Sequence, residues 1–161
     1  FLIISQILQN IKQKLNKFLT LSIAYANMQI KQKLNKQQGG EEMRIDRFSR
    51  HLYDVYKLSK TDFAETALND KDLYKTIVDH RYKFNRIGHI NYNLHQPQTI
   101  NMLPVPQVIE AWKADYETMV EQMIYEENPP SFEELIIGLT TLKNKINAVE
   151  WKLDMEFPVS K

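Results

Sequence analysis

Apolar residues return every three or four positions through most of this chain, the spacing of a helix face rather than a strand. Ile4, Leu8, Ile11, Leu15 and Phe18 make the first such series, and Phe48, Leu52 and Val55 the second. Leu73, Ile77 and Phe84 predict the inner face of a helix ending near Phe84. Ile109, Trp112, Tyr116, Met119 and Met123 predict another; such a row of methionines and aromatics is core far more often than a cofactor seat. Leu135, Leu139, Leu142, Ile146, Val149 and Leu153 close the series, a pattern suited to a bundle helix or to a seam offered to a partner. No run alternates apolar and polar residues for long enough to predict a strand. The expected fold is therefore all-α, an irregular bundle of about five to six helices.

Punctuation agrees with this pattern. Asp70 is placed to cap the helix that ends near Phe84, after a short helix over residues 61–68. Pro106 suits the first turn of the Trp112 helix, and Pro129 and Pro130 end it. Ser131 and Glu134 have the spacing of a capping box for the last helix. Residues 85–103 hold Gly88, Pro97 and no sustained period, so they read as an irregular connection. Its histidines, His89 and His95, are expected to be surface polar residues.

Composition narrows the picture a little. The 161 residues, 43% hydrophobic and 25% charged, are ordinary for one globular domain. With no cysteine, disulfides and thiolate metal sites are excluded, and a reducing cytoplasm is the default expectation. The net charge of +1 hides an imbalance: residues 1–40 hold six lysines and no acid. The motif Ile-Lys-Gln-Lys-Leu-Asn-Lys occurs twice there, at 11–17 and 30–36, too few copies for a solenoid. Residues 1–40 thus read as a basic amphipathic helical arm ending at a Gly39–Gly40 stop or hinge. Either it packs on the domain with its lysines in water, or it lies on nucleic acid or an anionic membrane surface. Lys12, Lys14 and Lys17 interrupt any run able to insert stably in a bilayer.

Candidate chemistry concentrates between Arg47 and Leu58. Arg47, Arg50, His51, Asp54 and Lys57 form one polar stripe, opposite Phe48, Leu52 and Val55. Two guanidiniums, an imidazole and a carboxylate can hold phosphates while the carboxylate handles a metal or a proton. The plainer reading is a solvated face with an Arg50–Asp54 pair, contributing a few tenths of a kcal/mol. Asp79, His80, Arg81 and Lys83 form a second polar cluster, read either as a phosphate contact or as cations complementing a helix C-terminus.

The string Arg-Ile-Asp-Arg-Phe-Ser-Arg-His-Leu-Tyr-Asp-Val-Tyr-Lys-Leu, from Arg44 to Leu58, resembles the last motif of the AbiEii/AbiGii-type nucleotidyltransferase toxins. The likeness continues through residues 73–84, with their His-basic-x-x-Phe ending, and through 99–104, 111–116 and 130–135, in family order. It covers about Glu41 to Asn147 and leaves residues 1–40 unmatched. It implies a domain over 41–147, like the C-terminal helical half of a polymerase-β-like nucleotidyltransferase, with 148–161 as a helix extension and tail.

By the same resemblance Asp54 matches the motif aspartate and acts near the transferred phosphate. Arg50 and His51 position phosphates or hold Asp54, and His80 and Arg81 are further phosphate contacts. The complete enzyme would use Mg²⁺ to move a nucleotidyl group from a nucleoside triphosphate to an acceptor such as RNA. It would work in phage defence, opposed by a cognate antitoxin. The family's metal-binding Gly-Ser turn and Asp-x-Asp pair are expected to be missing: the chain has no Gly-Ser dipeptide, and Asp70 and Asp72 open a helix. No metal ligand is assigned, and the chain alone is expected to be inactive. The competing expectation is a non-enzymatic helical module that binds nucleic acid or a partner through the arm and the last helix.

Overall fold

The computed structural model describes residues 49–84, 86, 91–104 and 106–158. The arm over 1–40, its glycine pair, Arg47, Phe48 and His89 lie outside the described residues. Helix α1, Ser49–Ser59, buries Leu52 and Val55 together with Ser49. It closes when the Ser59 hydroxyl donates to the Tyr56 carbonyl at 2.7 Å and Thr61 to that of Leu58 at 2.6 Å. Helix α2, Asp62–Asn69, follows at once. Asp70 then caps α3, Lys71–Phe84, accepting the Leu73 amide at 2.8 Å. Half of the Asp70/Asp72 pair is thus a cap.

Short 3-10 turns at Tyr92–Leu94, Pro97–Thr99 and Pro106–Val108 carry the chain to α4, Ile109–Met123. The Pro106 turn means that the α-helix begins later than the proline suggests. Helix α5, Phe132–Asn147, opens on the full capping box. The Glu134 amide donates to the Ser131 hydroxyl at 3.1 Å, and Glu134 accepts the Ser131 amide at 2.7 Å. Among the described residues there are five α-helices and no strand, so the all-α expectation holds.

Helix α1 packs against α2, α4 and above all α5. The closest approach is at Gly138, where an added Cβ would lie 2.5 Å from the Tyr56 ring. A side chain there would have to displace that ring, so glycine sets the α1–α5 distance. Trp112 and Tyr116 from α4 and Leu135, Leu139 and Ile146 from α5 fill the centre.

Three expectations need correction. The helix extension beyond Asn147 is absent: residues 149–158 form an irregular tail that still buries Leu153 and Phe157. The Asn147 side chain turns instead onto the Pro97 and Ile100 carbonyls at 2.7 and 3.0 Å. Gln96 donates to the Leu153 carbonyl at 3.0 Å and accepts the Leu153 amide at 2.8 Å, and Asn93 treats Phe157 likewise at 2.9 and 2.8 Å. These bonds satisfy tail backbone groups that a helix would have paired internally. His95 is not a surface residue; it is 2% exposed. Phe84 is not inside. The buried stripe of α3 runs through Tyr74, Ile77 and Val78 towards Tyr82, and the helix carries Phe84 beyond it to 72% exposure.

Candidate functional site

The first described amide of helix α1 is occupied from another helix. The Ser49 N–H donates at 2.9 Å to the Asp115 carboxylate of α4. Beside it Arg50 is half-buried, with Nη2 3.5 Å from the Met123 sulfur and a buried Nε that has no hydrogen-bond partner among the described residues. A cleft of about 250 Å³ opens here, lined by Arg50, Asp115, Thr118, Met119, Gln122 and Met123. A guanidinium with an unused donor can take an anion. Asp115 had no signal in the sequence, because its partner is an amide 66 positions away.

His51 and Asp54 are half-buried on the same helix. Asp54 lines neither the Arg50 cleft nor the wider one, of about 530 Å³, between the end of α1, α2 and α5. Lys57, the last member of the stripe, is engaged elsewhere. Its ammonium lies 2.7 Å from Glu126, which also accepts the Tyr53 hydroxyl at 2.7 Å. Burial, and then the Glu126 hydrogen bond, push the Tyr53 hydroxyl well above its ordinary range. The bonds from Lys57 and Tyr53 hold Glu126 below the usual carboxylate range. The group ties α1 to the segment after α4.

His80 and Arg81 belong to a different neighbourhood, at the end of α3. His80 is exposed and packs against Phe84, ring to ring at 4.8 Å. Arg81 is half-buried; burial lowers its pKa, and its Nε has no partner among the described residues. It stands beside His95, whose ring stacks on Tyr92 at 4.9 Å. His95 Nδ1 lies 3.2 Å from the Tyr92 carbonyl, which only accepts, so this nitrogen carries the proton. Burial first, with Arg81 adding to it, lowers the His95 pKa to about 4. Arg50, His51 and Asp54 therefore share one helix, whereas Arg81 stands beside the Tyr92–His95 turn and His80 packs on Phe84.

Among the described residues no three of His, Cys, Asp or Glu gather to hold a metal ion. The donors among the described residues do not fit the divalent cation that nucleotidyl transfer requires. No helix among the described residues is long and apolar enough to cross a membrane.

The family model described as nucleotidyl transferase AbiEii toxin, type IV toxin–antitoxin system, matches residues 17–137. That span starts within the lysine-rich arm, takes in α1 to α4, and ends inside α5. No curated protein and no solved structure matches the chain.

Proposed function

The chain belongs to the AbiEii nucleotidyltransferase toxin family of type IV toxin–antitoxin systems, and we propose on that premise that it supplies the helical part of such an enzyme. Membership implies a toxin nucleotidyltransferase role and an antitoxin partner. The finer reading is transfer of a nucleotidyl group from a nucleoside triphosphate to RNA, in the cytoplasm, as part of phage defence. The acceptor hydroxyl attacks the α-phosphorus and pyrophosphate leaves with the bonding electrons. Asp54 orients that hydroxyl or takes its proton, and Arg50 and His51 steady the phosphates. His80 and Arg81 contact phosphate farther along. Mg²⁺ would be held by an Asp-x-Asp pair after a Gly-Ser turn; this sequence has no Gly-Ser dipeptide and its Asp70 and Asp72 open a helix, so the 161-residue chain alone is expected to be silent.

The single observation behind this reading is a family match that runs across the whole of α1, where Arg50, His51 and Asp54 share one helix. The decisive experiment joins the chain to the Gly-Ser and Asp-x-Asp portion of a family relative and follows labelled nucleotide entering RNA. Asp54→Ala should lower transfer by roughly a hundredfold or more with helicity intact, the range of a lost general acid–base group. Unchanged transfer in Asp54→Ala and Arg50→Ala would leave α1 structural. Metal-dependent incorporation by the 161-residue chain alone would overturn its proposed silence.

A further inference from the structure

The chain enters the described fold beside a groove. Ser49 gives its amide to Asp115 at 2.9 Å and its hydroxyl to the Met119 sulfur at 3.9 Å. Both partners line the cleft of about 250 Å³ between the start of α1 and α4. Its apolar wall is Met119 and Met123, and Met123 is 53% exposed. Arg50, the cation lining it, is turned onto the Met123 sulfur at 3.5 Å. The surroundings are acidic: residues 109–134 hold eight acids and one base, Lys113. Lys113 donates to Glu133 at 2.6 Å; that bond, and then the charges of Glu117 and Glu110, raise its pKa. Lys57 holds Glu126, and Glu134 closes the capping box. Glu121 is in no ion pair among the described residues. Glu110, Glu117 and Glu121 recur at seven- and four-residue steps, so they form one exposed stripe of α4. Like charges four residues apart repel, and a cation laid beside them relieves the repulsion.

The second copy of the repeated motif, residues 30–36, has the complementary pattern. At helical spacing Ile30 and Leu34 share one side, and Lys31 and Lys33 flank it. Residues 37–48 join this copy to Ser49 and can span about 40 Å at most. Helix α4, with 15 residues, is about 22 Å long, so the groove is within reach. The family match starts at residue 17, and so takes in this copy of the motif but only the last residue of the first. A short tether holds its two ends at an effective concentration of the order of millimolar, at which even a weak contact is occupied.

We propose that residues 30–36 dock within the same chain in the groove between α1 and α4. Ile30 and Leu34 lie on Met119 and Met123, while Lys31 and Lys33 face Glu117 and Glu121. Apolar contact supplies the attraction, and the charges fix which segment is accepted. Nucleic acid is the competing occupant of these lysines. A strand bound to them beside α4 would have to lie against the same acids, which repel it. The contact goes beyond the nucleotidyl-transfer reading and does not depend on it.

The test treats a mixture of isotope-labelled and unlabelled full chains with a carbodiimide, which joins an amine directly to a carboxylate it touches. Mass spectrometry should find Lys31 or Lys33 joined to Glu117 or Glu121 within one copy. Amide exchange over residues 30–36 should be slower than in a free peptide of the same sequence. Glu117→Gln with Glu121→Gln should speed that exchange roughly fivefold, the effect of two exposed ion pairs. Both residues are exposed, so exchange in α5 should not change. Lys31→Glu with Lys33→Glu should speed it as much, and adding Glu117→Lys and Glu121→Lys to that variant should restore protection. Leu34→Ser should also speed it, because the apolar contact is lost. Links from the first copy of the motif alone, links only between copies, or links only to other carboxylates would each overturn the docking. So would exchange at the free-peptide rate, or no change in the glutamine variant. Protection that appears only when oligouridine is added would assign the lysines to nucleic acid and overturn it too.

Discussion

Two regions of this molecule are held together by different physics. The bundle of α1, α4 and α5 rests on buried apolar stripes, with Trp112, Leu135 and Leu139 at 0% exposure. The connection 91–104 and the tail 149–158 are mostly irregular, and side-chain amides clamp one to the other. Asn93, Gln96 and Gln98 reach tail backbone groups at 2.7 to 3.0 Å, and Asn147 returns to the connection. Apolar stripes need only correct spacing, and many sequences supply them. Amide clamps need one side chain opposite one peptide group, since each bond is directional and a lost partner leaves a buried group unpaired. The bundle should therefore tolerate conservative exchange of its members, and the clamped region should not.

The largest effect expected on the bundle side comes from Trp112→Ala, which empties a fully buried ring site between α4 and its neighbours. It should destabilise the fold by about 3–5 kcal/mol in denaturant titration. Trp112→Phe should recover much of this loss. If both variants were equally damaging, the contrast between forgiving stripes and exacting clamps would fail.

On the clamped side the next effect is a pH dependence. His95 has its folded pKa lowered from 6.5 to about 4, so the unfolded chain binds the proton more readily. Its stabilisation is complete above about pH 6.5 and is lost as pH falls towards about 4. The loss over that window should approach about 3 kcal/mol, and His95→Gln should flatten it. A denaturation midpoint that is level across the window in the unaltered chain would show that the turn opens before its histidine titrates.

Gln96→Ala comes third. It removes a donor and an acceptor that hold both backbone groups of Leu153. A loss of about 2 kcal/mol is expected, with amide exchange faster in the tail than in α5. Gln96→Glu keeps the acceptor and loses the donor, so it should not restore stability; if it did, the two-bond account of the clamp would fail. The smallest effect is at a helix end. Ser131→Ala breaks the capping box of α5 and should lower stability by about 1 kcal/mol, while Ser131→Asp should retain most of it.

The site was legible to different depths. The three- and four-residue steps from Arg50 to Asp54 suffice to put Arg50, His51 and Asp54 on one helix. The same steps could not reveal that Arg50 faces Met123 across a cleft, or that Asp115 holds the amide before it. Those partners come from α4, 66 to 73 positions along the chain. Polarity alone places His95 at the surface, because polar residues are exposed on average. Its ring is buried because Tyr92 stacks on it and the Tyr74 hydroxyl donates to its carbonyl at 3.0 Å.

By itself the sequence determined what depends on near neighbours: helical periods, the Asp70 cap, the Ser131–Glu134 box and the family motifs spread from α1 to α5. Each is a relation among residues a few positions apart, and helix geometry turns such spacing into proximity. Only the tertiary structure decided which helix faces end inside. Leu153 keeps the spacing of α5 without being helical, and Phe84 keeps the spacing of a core residue while standing in solvent. The physical reason is that burial depends on what lies opposite, and what lies opposite comes from distant parts of the chain.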